Sequence, residues 1–258
     1  MDTETSIEEQ DRNLYNSIAR QYIRKDIVGS SSVARKYKLF SALNGILHND
    51  VRLGTLVEIG CGAGATAGYL AGYYDKYIGI DQSEELIRHA GTLNRQYRNV
   101  TFVAANIKAS GLPPRCADVI FANGALHHMT ELDIVMESLQ AIAKPGTHLI
   151  VIEPQGSNAI IQFMRKIRAV LDKTYSGEQI FFAPEYLVEL FARHGVTDIT
   201  LDFQGFLSTP FAEVIVNPQF LSQPLAKGAV AADRLLKKHL PPALKRMSFN
   251  TIVAGTFQ

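Results

Sequence analysis

The sequence predicts an α/β fold, a mostly parallel sheet with helices on both faces, and three observations carry that prediction. The apolar run Leu56-Val57-Glu58-Ile59 stops at a glycine-rich turn, Gly60-Cys61-Gly62-Ala63-Gly64. About twenty residues further on, Tyr77-Ile78-Gly79-Ile80-Asp81 is a second apolar run with an acid at its tip, the spacing of a βαβ unit. Short apolar runs then keep alternating with segments of helical period, as successive crossovers to a parallel sheet require. The arrangement is Rossmann-like.

The remaining elements follow in order. Residues Met1 to Asp11 are charged and poor in apolar side chains, so they are expected to fray. Leu14, Ile18, Tyr22 and Ile23 fall near helical spacing within Asn13 to Lys25. Gly29-Ser30-Ser31-Ser32 interrupts that helix, with Ser32 expected as N-cap of a second one carrying Val33, Tyr37, Phe40, Leu43 and Leu47. Strands are expected near 55–59, 77–81, 101–104, 118–123 and 147–153, with helices between them. After Glu153-Pro154 a basic amphipathic segment, Asn158 to Leu171, combines Ile160, Ile161, Phe163, Met164, Ile167 and Leu171 with Arg165, Lys166 and Arg168; a lid is its expected role. Pro184 starts a helix that Gly195 stops, and Ile199 to Phe203 reads as a sixth strand. Phe206 to Pro224 reads as irregular, Leu225 to His239 as a last helix and Phe249 to Thr256 as a seventh strand. One domain is expected over 1–258. It comprises a helical cover (1–50), a cofactor-binding core (51–154), a lid and acceptor-site segment (155–224), and the last helix and strand (225–258).

The glycine turn admits two kinds of adenine-containing ligand. Gly60, Gly62 and Ala65 satisfy G-x-G-x-x-A, which suits a dinucleotide. Glu58, Gly60, Gly62 and Gly64 also satisfy E-x-G-x-G-x-G. A carboxylate so near a pyrophosphate costs Coulomb energy, whereas S-adenosylmethionine has no phosphate and carries an ammonium and a sulfonium. Glu58 therefore favours S-adenosylmethionine over NAD. A P-loop is excluded, because no Gly-Lys-Ser or Gly-Lys-Thr follows.

Composition narrows the setting. The chain has 258 residues, 47% of them hydrophobic, enough to bury one substantial core. A formal net charge of +1 with no long basic run argues against a nucleic-acid partner. Its two cysteines, Cys61 and Cys116, make neither a disulfide framework nor a metal spacing. The acidic, polar start Met1-Asp2-Thr3-Glu4-Thr5 is unlike a signal or transit peptide, and no apolar run approaches the ~20 residues a membrane span needs. A cytoplasmic protein is expected, acting on a small-molecule acceptor, with a homodimer left open as its assembly.

In these segments the chain resembles the class I S-adenosylmethionine-dependent methyltransferases, especially their small-molecule branch. Asp118-Val119-Ile120-Phe121-Ala122-Asn123 looks like that family's fourth strand, Ala125-Leu126-His127-His128-Met129 like its "LHH" segment, and Ala143-Lys144-Pro145-Gly146 like its "LKPGG" turn before Leu149 to Glu153. The resemblance spans roughly Leu14 to Phe203. It departs at Thr147, where a second glycine is usual, and at Asn106, where an aspartate usually meets the adenine. It implies a seven-stranded sheet whose last strand lies antiparallel between the fifth and sixth. It also implies that Tyr15, Ala19 and Tyr22 close over the cofactor.

The candidate cofactor contacts are thus Tyr15, Tyr22, Glu58, Gly60, Cys61, Gly62, Gly64, Asp81, Gln82, Leu86, Asn106, Ile107, Asn123 and Gly124. Asp81 would accept both ribose hydroxyls, Asn106 and Ile107 would meet the adenine, and Asn123 and Gly124 close a strand at the end where open α/β sheets present ligands. His127 and His128 are adjacent, so on a helix or turn they point about 100° apart and suit a metal poorly. No metal is expected. An imidazole there suits removal of a proton from a hydroxyl, with Glu153 orienting it or holding the acceptor. The expected reaction is O-methylation of a small molecule. Carbon or nitrogen methylation, a NAD(P)-dependent oxidoreductase and a non-catalytic cofactor-binding protein stand as rivals.

Overall fold

The computed structural model describes residues 7–47, 52–159, 161–163 and 180–258. Seven strands form one sheet: β1 (Thr55–Ile59), β2 (Lys76–Asp81), β3 (Val100–Ala104), β4 (Ala117–Asn123), β5 (Ala143–Pro154), β6 (Val196–Gln204) and β7 (Asn250–Phe257). Their order is β3-β2-β1-β4-β5-β7-β6. β1 to β5 run parallel, and β7 pairs antiparallel with both β5 and β6. The chain reverses between β2 and β4 around β1, so the carboxyl ends of β1, β2 and β4 diverge and leave a crevice.

Helices cover both faces. The first two are α1 (Ile7–Ile27) and α2 (Gly29–Leu43), then α3 (Ala65–Tyr69), α4 (Glu84–Leu93) and α5 (Leu132–Ile142). After β5 come α6 (Pro184–Arg193), α7 (Thr209–Glu213), α8 (Gln219–His239) and α9 (Pro242–Lys245). On one face Val57, Ile59, Ile120 and Val151 pack against Val135, Leu139, Leu187 and Leu190 of α5 and α6. On the other, Leu56, Phe121 and Ile150 pack against Leu39, Leu43 and Leu70. Side chains that alternate in a strand supply the two cores in turn.

That period corrects the reading of Glu58. It shares the face of Leu56, so it points beneath the glycine turn, where it accepts hydrogen bonds from the hydroxyls of Thr66, at 2.8 Å, and Tyr77. It is buried and does not line the crevice. Burial pushes its carboxyl up to about 8, the two hydroxyls pulling the other way.

Several element boundaries differ from the sequence reading, β6 among them, which starts at Val196 and not at Ile199. α1 begins at Ile7, not near Asn13, because Glu8 and Asp11 are fixed by polar bonds to the core instead of by apolar burial; Met1–Ser6 lie outside the described residues. Ser32 is not an N-cap: α2 starts at Gly29, after the single extended residue Val28, whose carbonyl accepts the Ser32 N–H. The stretch 206–224 is not irregular. It holds α7 and the start of α8, which runs through Pro224; the imino ring removes only one bond near the helix start. β5 begins at Ala143, with a bulge opposite Ala117 to Val119. Thr147 closes that bulge by donating its hydroxyl to the Ala117 carbonyl and accepting the Lys144 N–H, so a side chain takes the place of a second glycine. Arg165, Lys166 and Arg168 of the expected lid fall outside the described residues.

One buried carboxylate holds the turn after β6. Asp233 of α8 is fully buried and accepts the backbone N–H groups of Phe206, Leu207 and Ser208 and the Ser208 hydroxyl. Asp233→Ala orphans these donors and is expected to cost about 3 kcal/mol, read as a lower urea midpoint. Glu58 predicts a pH effect. Below about 4.5 its carboxyl is protonated both folded and unfolded. Between there and about 8 only the folded state keeps the proton, so stability falls as pH rises, by up to ~1.4 kcal/mol per pH unit. In Glu58→Gln this part of the slope is expected to vanish. Parallel urea titrations of both proteins at several pH values give the same slope only if this assignment is wrong.

Candidate active site

The crevice beyond β1, β2 and β4 is an open cleft lined by the ends of these strands, the loops after them and α1, the place where open α/β sheets present ligands. Its floor is the glycine turn. Gly60 takes φ +67°, and a Cβ there would stand 2.6 Å from that of Ala125, so only glycine lets the β1 and β4 loops meet. Gly64 takes φ +72° at the N-terminus of α3, against the ring of Phe102. Gly62 donates its N–H to Asp81 Oδ2 at 2.8 Å, and Ser83 donates to Oδ1 at 2.9 Å. Burial pushes the Asp81 carboxyl up, and these two N–H bonds pull it down. Ser83 also caps α4 through the Leu86 N–H.

Of the residues singled out from sequence, Tyr15, Tyr22, Gly60, Gly62, Asp81, Gln82, Leu86, Asn106, Ile107, Asn123, Gly124 and His128 line this cleft. Five do not. Glu58 lies beneath the turn. Cys61 is buried with its sulfur against Gly79, and burial pushes its thiol well up. Gly64 serves the start of α3. His127 and Glu153 form a buried pair behind the wall: Nδ1 and Oε2 are 2.6 Å apart, and Oε1 accepts the N–H groups of Ala125 and Leu126 at 3.0 and 2.8 Å. Burial lowers the His127 pKa, whereas the imidazole and backbone donors hold Glu153 below the usual carboxylate range despite its burial.

The two histidines therefore part company. His127 packs against Phe181 and is closed off by Glu153. His128 lines the cleft, with Nδ1 2.8 Å from Asp11 Oδ2 and Nε2 3.1 Å from the Tyr15 hydroxyl. Burial pushes the Tyr15 phenol well above its ordinary value. Asn106 is engaged differently from the expectation: its amide donates to Glu8 at 2.9 Å, and its oxygen accepts the Lys108 N–H of its own turn.

Glu8 and Asp11 escaped the sequence reading. Glu8 accepts from Lys108, from Asn106 and from the N–H and hydroxyl of Thr130. Burial works to raise its pKa, but Lys108 and Thr130 hold it below the ordinary value. Asn16 adds a third tie, accepting the Ser83 hydroxyl at 2.7 Å. The signal was present in the spacing: Glu8, Asp11, Tyr15 and Tyr22 fall three, four and seven apart, one face of a helix. Among the described residues, no three His, Cys, Asp or Glu gather into a metal site.

Comparison with known proteins agrees with this geometry. Residues 52–190 match a family model described as a methyltransferase domain. The ubiquinone/menaquinone biosynthesis C-methyltransferase of Escherichia coli is 26% identical over 183 residues, 67% of this chain and 66% of that relative, just under two thirds of its length. A structure from Thermotoga maritima, titled a SAM-dependent methyltransferase and possible histamine N-methyltransferase, superposes with a TM-score of 0.65 at 16% identity, covering 95% of this chain and 99% of that one. The phosphoethanolamine N-methyltransferase 2 of Haemonchus contortus, solved with phosphomonomethylethanolamine and S-adenosylhomocysteine, gives 0.60 at 15% identity over 85% of this chain and 52% of that one. The two structures share the fold. The family model spans more than half of the sequence, and with the cleft described above it places this chain in the methyltransferase domain family.

Proposed function

We propose that this methyltransferase carries the methyl of S-adenosylmethionine to a hydroxyl oxygen of a small molecule, with His128 as general base. The observation that carries the reading is that His128, braced by Asp11, lines the same cleft as Asp81 and the glycine turn. When bound, S-adenosylmethionine supplies a methyl already activated by its sulfonium, so transfer to oxygen is a direct displacement.

The residues present fit that cofactor. Each Asp81 oxygen accepts one backbone N–H and keeps a lone pair for a ribose hydroxyl. Asn123 lines the cleft, and its buried side-chain oxygen has no donor among the described residues, which suits an ammonium group. Ile80, Leu86 and Ile107 offer apolar walls for a purine. Among the described residues no lysine or arginine lines the cleft; with Glu58 beneath the turn, it is the match to a methyltransferase domain that weighs against the dinucleotide rival.

Asp11 accepts from Nδ1–H of His128 and leaves Nε2 as the basic nitrogen, to which the protonated Tyr15 hydroxyl donates. An acceptor hydroxyl taking the place of Tyr15 would give its proton to Nε2, and Asp11 would stabilise the imidazolium. Such a base is worth ~10²–10⁴-fold. Alignment of the reacting groups in a closed cleft can contribute more, about 7–11 kcal/mol. The likeness to a C-methyltransferase supports a second reading, carbon methylation of a ring-hydroxylated acceptor. The same base then forms a phenolate, which is nucleophilic at its ortho carbon as well as at oxygen.

Isothermal titration with S-adenosylhomocysteine, NADH and NADPH tests the cofactor. Micromolar binding of S-adenosylhomocysteine alone is expected, about −8 kcal/mol, with a loss of at least ~tenfold in Asp81→Ala. Binding of a nicotinamide instead would reject the reading. His128→Ala is expected to keep S-adenosylhomocysteine affinity and lower turnover ~10²–10⁴-fold, with Asp11→Asn falling in the same direction. Loss of cofactor affinity in His128→Ala would remove the histidine from its assigned role.

A further inference from the structure

α8 has two faces of unlike chemistry. Ser222, Ala226, Val230 and Asp233 are buried, and the helix packs on α2. At about 100° per residue, the opposite side presents Leu221, Pro224, Gly228, Leu235 and, at its margin, Leu225. Leu221, Leu225 and Leu235 are 55%, 62% and 62% exposed, and Phe220 at the first turn is 76% exposed. Lone exposed leucines need no explanation, but a row of them on the face turned away from the core does.

The charges beside that row share one sign. Lys227 and Lys238 are exposed along one flank, and Arg234 between them turns its guanidinium over the Tyr37 ring of α2, 5.6 Å from the centroid. The helix contains one acid, Asp233, and it is buried beneath the turn after β6. Lys237 lies nearer the packed side and pairs with Asp202 at 2.6 Å. The chain as a whole carries a formal charge of only +1, so this outer face concentrates positive charge against an otherwise balanced background.

We infer that the outer face of α8 docks the protein on an anionic lipid surface, its leucines and Phe220 entering the headgroup boundary and Lys227 and Lys238 meeting lipid phosphates. Charge selects this occupant over a second copy of the chain. An antiparallel twofold pairing sets a flank against itself, here cation on cation with no exposed acid of the helix to offset it. No described helix is long and apolar enough to cross a membrane, so the contact is peripheral. Position fits as well. β6 runs parallel to β5, so its last residues lie at the cleft end of the sheet, and the start of α8 is tied to α2 by the Ser30 N–H bond to Gln219 at 3.1 Å. The inference rests on the exposed face and does not require the methyl-transfer reading.

Co-sedimentation of the full chain with vesicles tests it, using phosphatidylcholine alone and phosphatidylcholine with about a third phosphatidylglycerol. Binding only to the anionic vesicles is expected, weakened by salt. Lys227→Gln and Lys238→Gln should each cost roughly fivefold, and the triple change Leu221→Glu, Leu225→Glu, Leu235→Glu at least ~tenfold. The wild-type chain staying in the supernatant, or the triple variant binding undiminished, would overturn the proposal. So would a dimer that the triple variant abolishes while pelleting with vesicles is unchanged. The chain has no tryptophan, so Phe220→Trp supplies a single indole, excited apart from the tyrosines, on an otherwise native protein. A blue shift on anionic vesicles supports docking even if the triple variant fails to fold, and unchanged emission rejects it.

Discussion

The hydrogen bond between Asp11 and His128 is the contact on which the site depends, because it joins a helix outside the sheet's crossovers to a loop that the sheet itself presents. α1 has no strand partner and a mostly polar sequence, so apolar burial alone cannot seat it. Carboxylates do so instead. Glu8 gathers donors from Asn106, Lys108 and Thr130, Asp11 takes His128, and Asn16 takes Ser83. Buried carboxylates are costly unless satisfied, and these are satisfied only when α1 lies across the cleft. Tyr15 and Tyr22 thereby become part of its wall. The group that seats the helix is also the partner of His128 Nδ1, so the placement of α1 and the orientation of the imidazole in the cleft are set by one bond.

Behind that contact stands the two-residue period of the strands. Ile59 reaches the cleft where Glu58 does not, because neighbours on β1 face opposite sides. The same separation sorts the histidines. His127 turns into the wall, where Glu153 takes its Nδ1 and two backbone N–H groups at once, stiffening the turn that aims His128 outward. One side chain of the pair thus serves the architecture and the other lines the cleft. Glu58 plays a comparable part beneath the glycine turn, holding Thr66 of α3 and Tyr77 of β2 against β1.

This division explains what was legible in the sequence. Strand positions and the cofactor end of the sheet were readable because backbone demands write themselves locally, Gly60 for a close approach and Asp81 at a strand tip, while the place of the seventh strand came from the family resemblance. Glu58 was misread because its spacing to the glycines is a one-dimensional fact, while its direction depends on which core β1 shares with Tyr77. Glu8 and Asp11 were passed over because a charged, apolar-poor stretch resembles a frayed terminus until its partners, about a hundred residues away, are in place. Thr147 shows the converse: a departure from the expected glycine, absorbed by a hydroxyl that bonds both sides of the bulge.

α1, which lies over the cleft, is tied through α2 to α7 by one residue. Arg35 of α2 pairs with Asp26 near the end of α1, stacks on the Tyr22 ring at 5.6 Å, and donates to the Ala212 carbonyl of α7 at 3.1 Å. Burial pushes the Asp26 carboxyl up and Arg35 draws it back, so neither charge is stable there without the other. A shift of α7, and with it the start of α8, therefore reaches Tyr22 through a single guanidinium. The cofactor half of the site is specified by backbone turns that few sequences can satisfy. The N-terminal helices are seated by side-chain pairs instead, and at Arg35 they meet the C-terminal part of the chain.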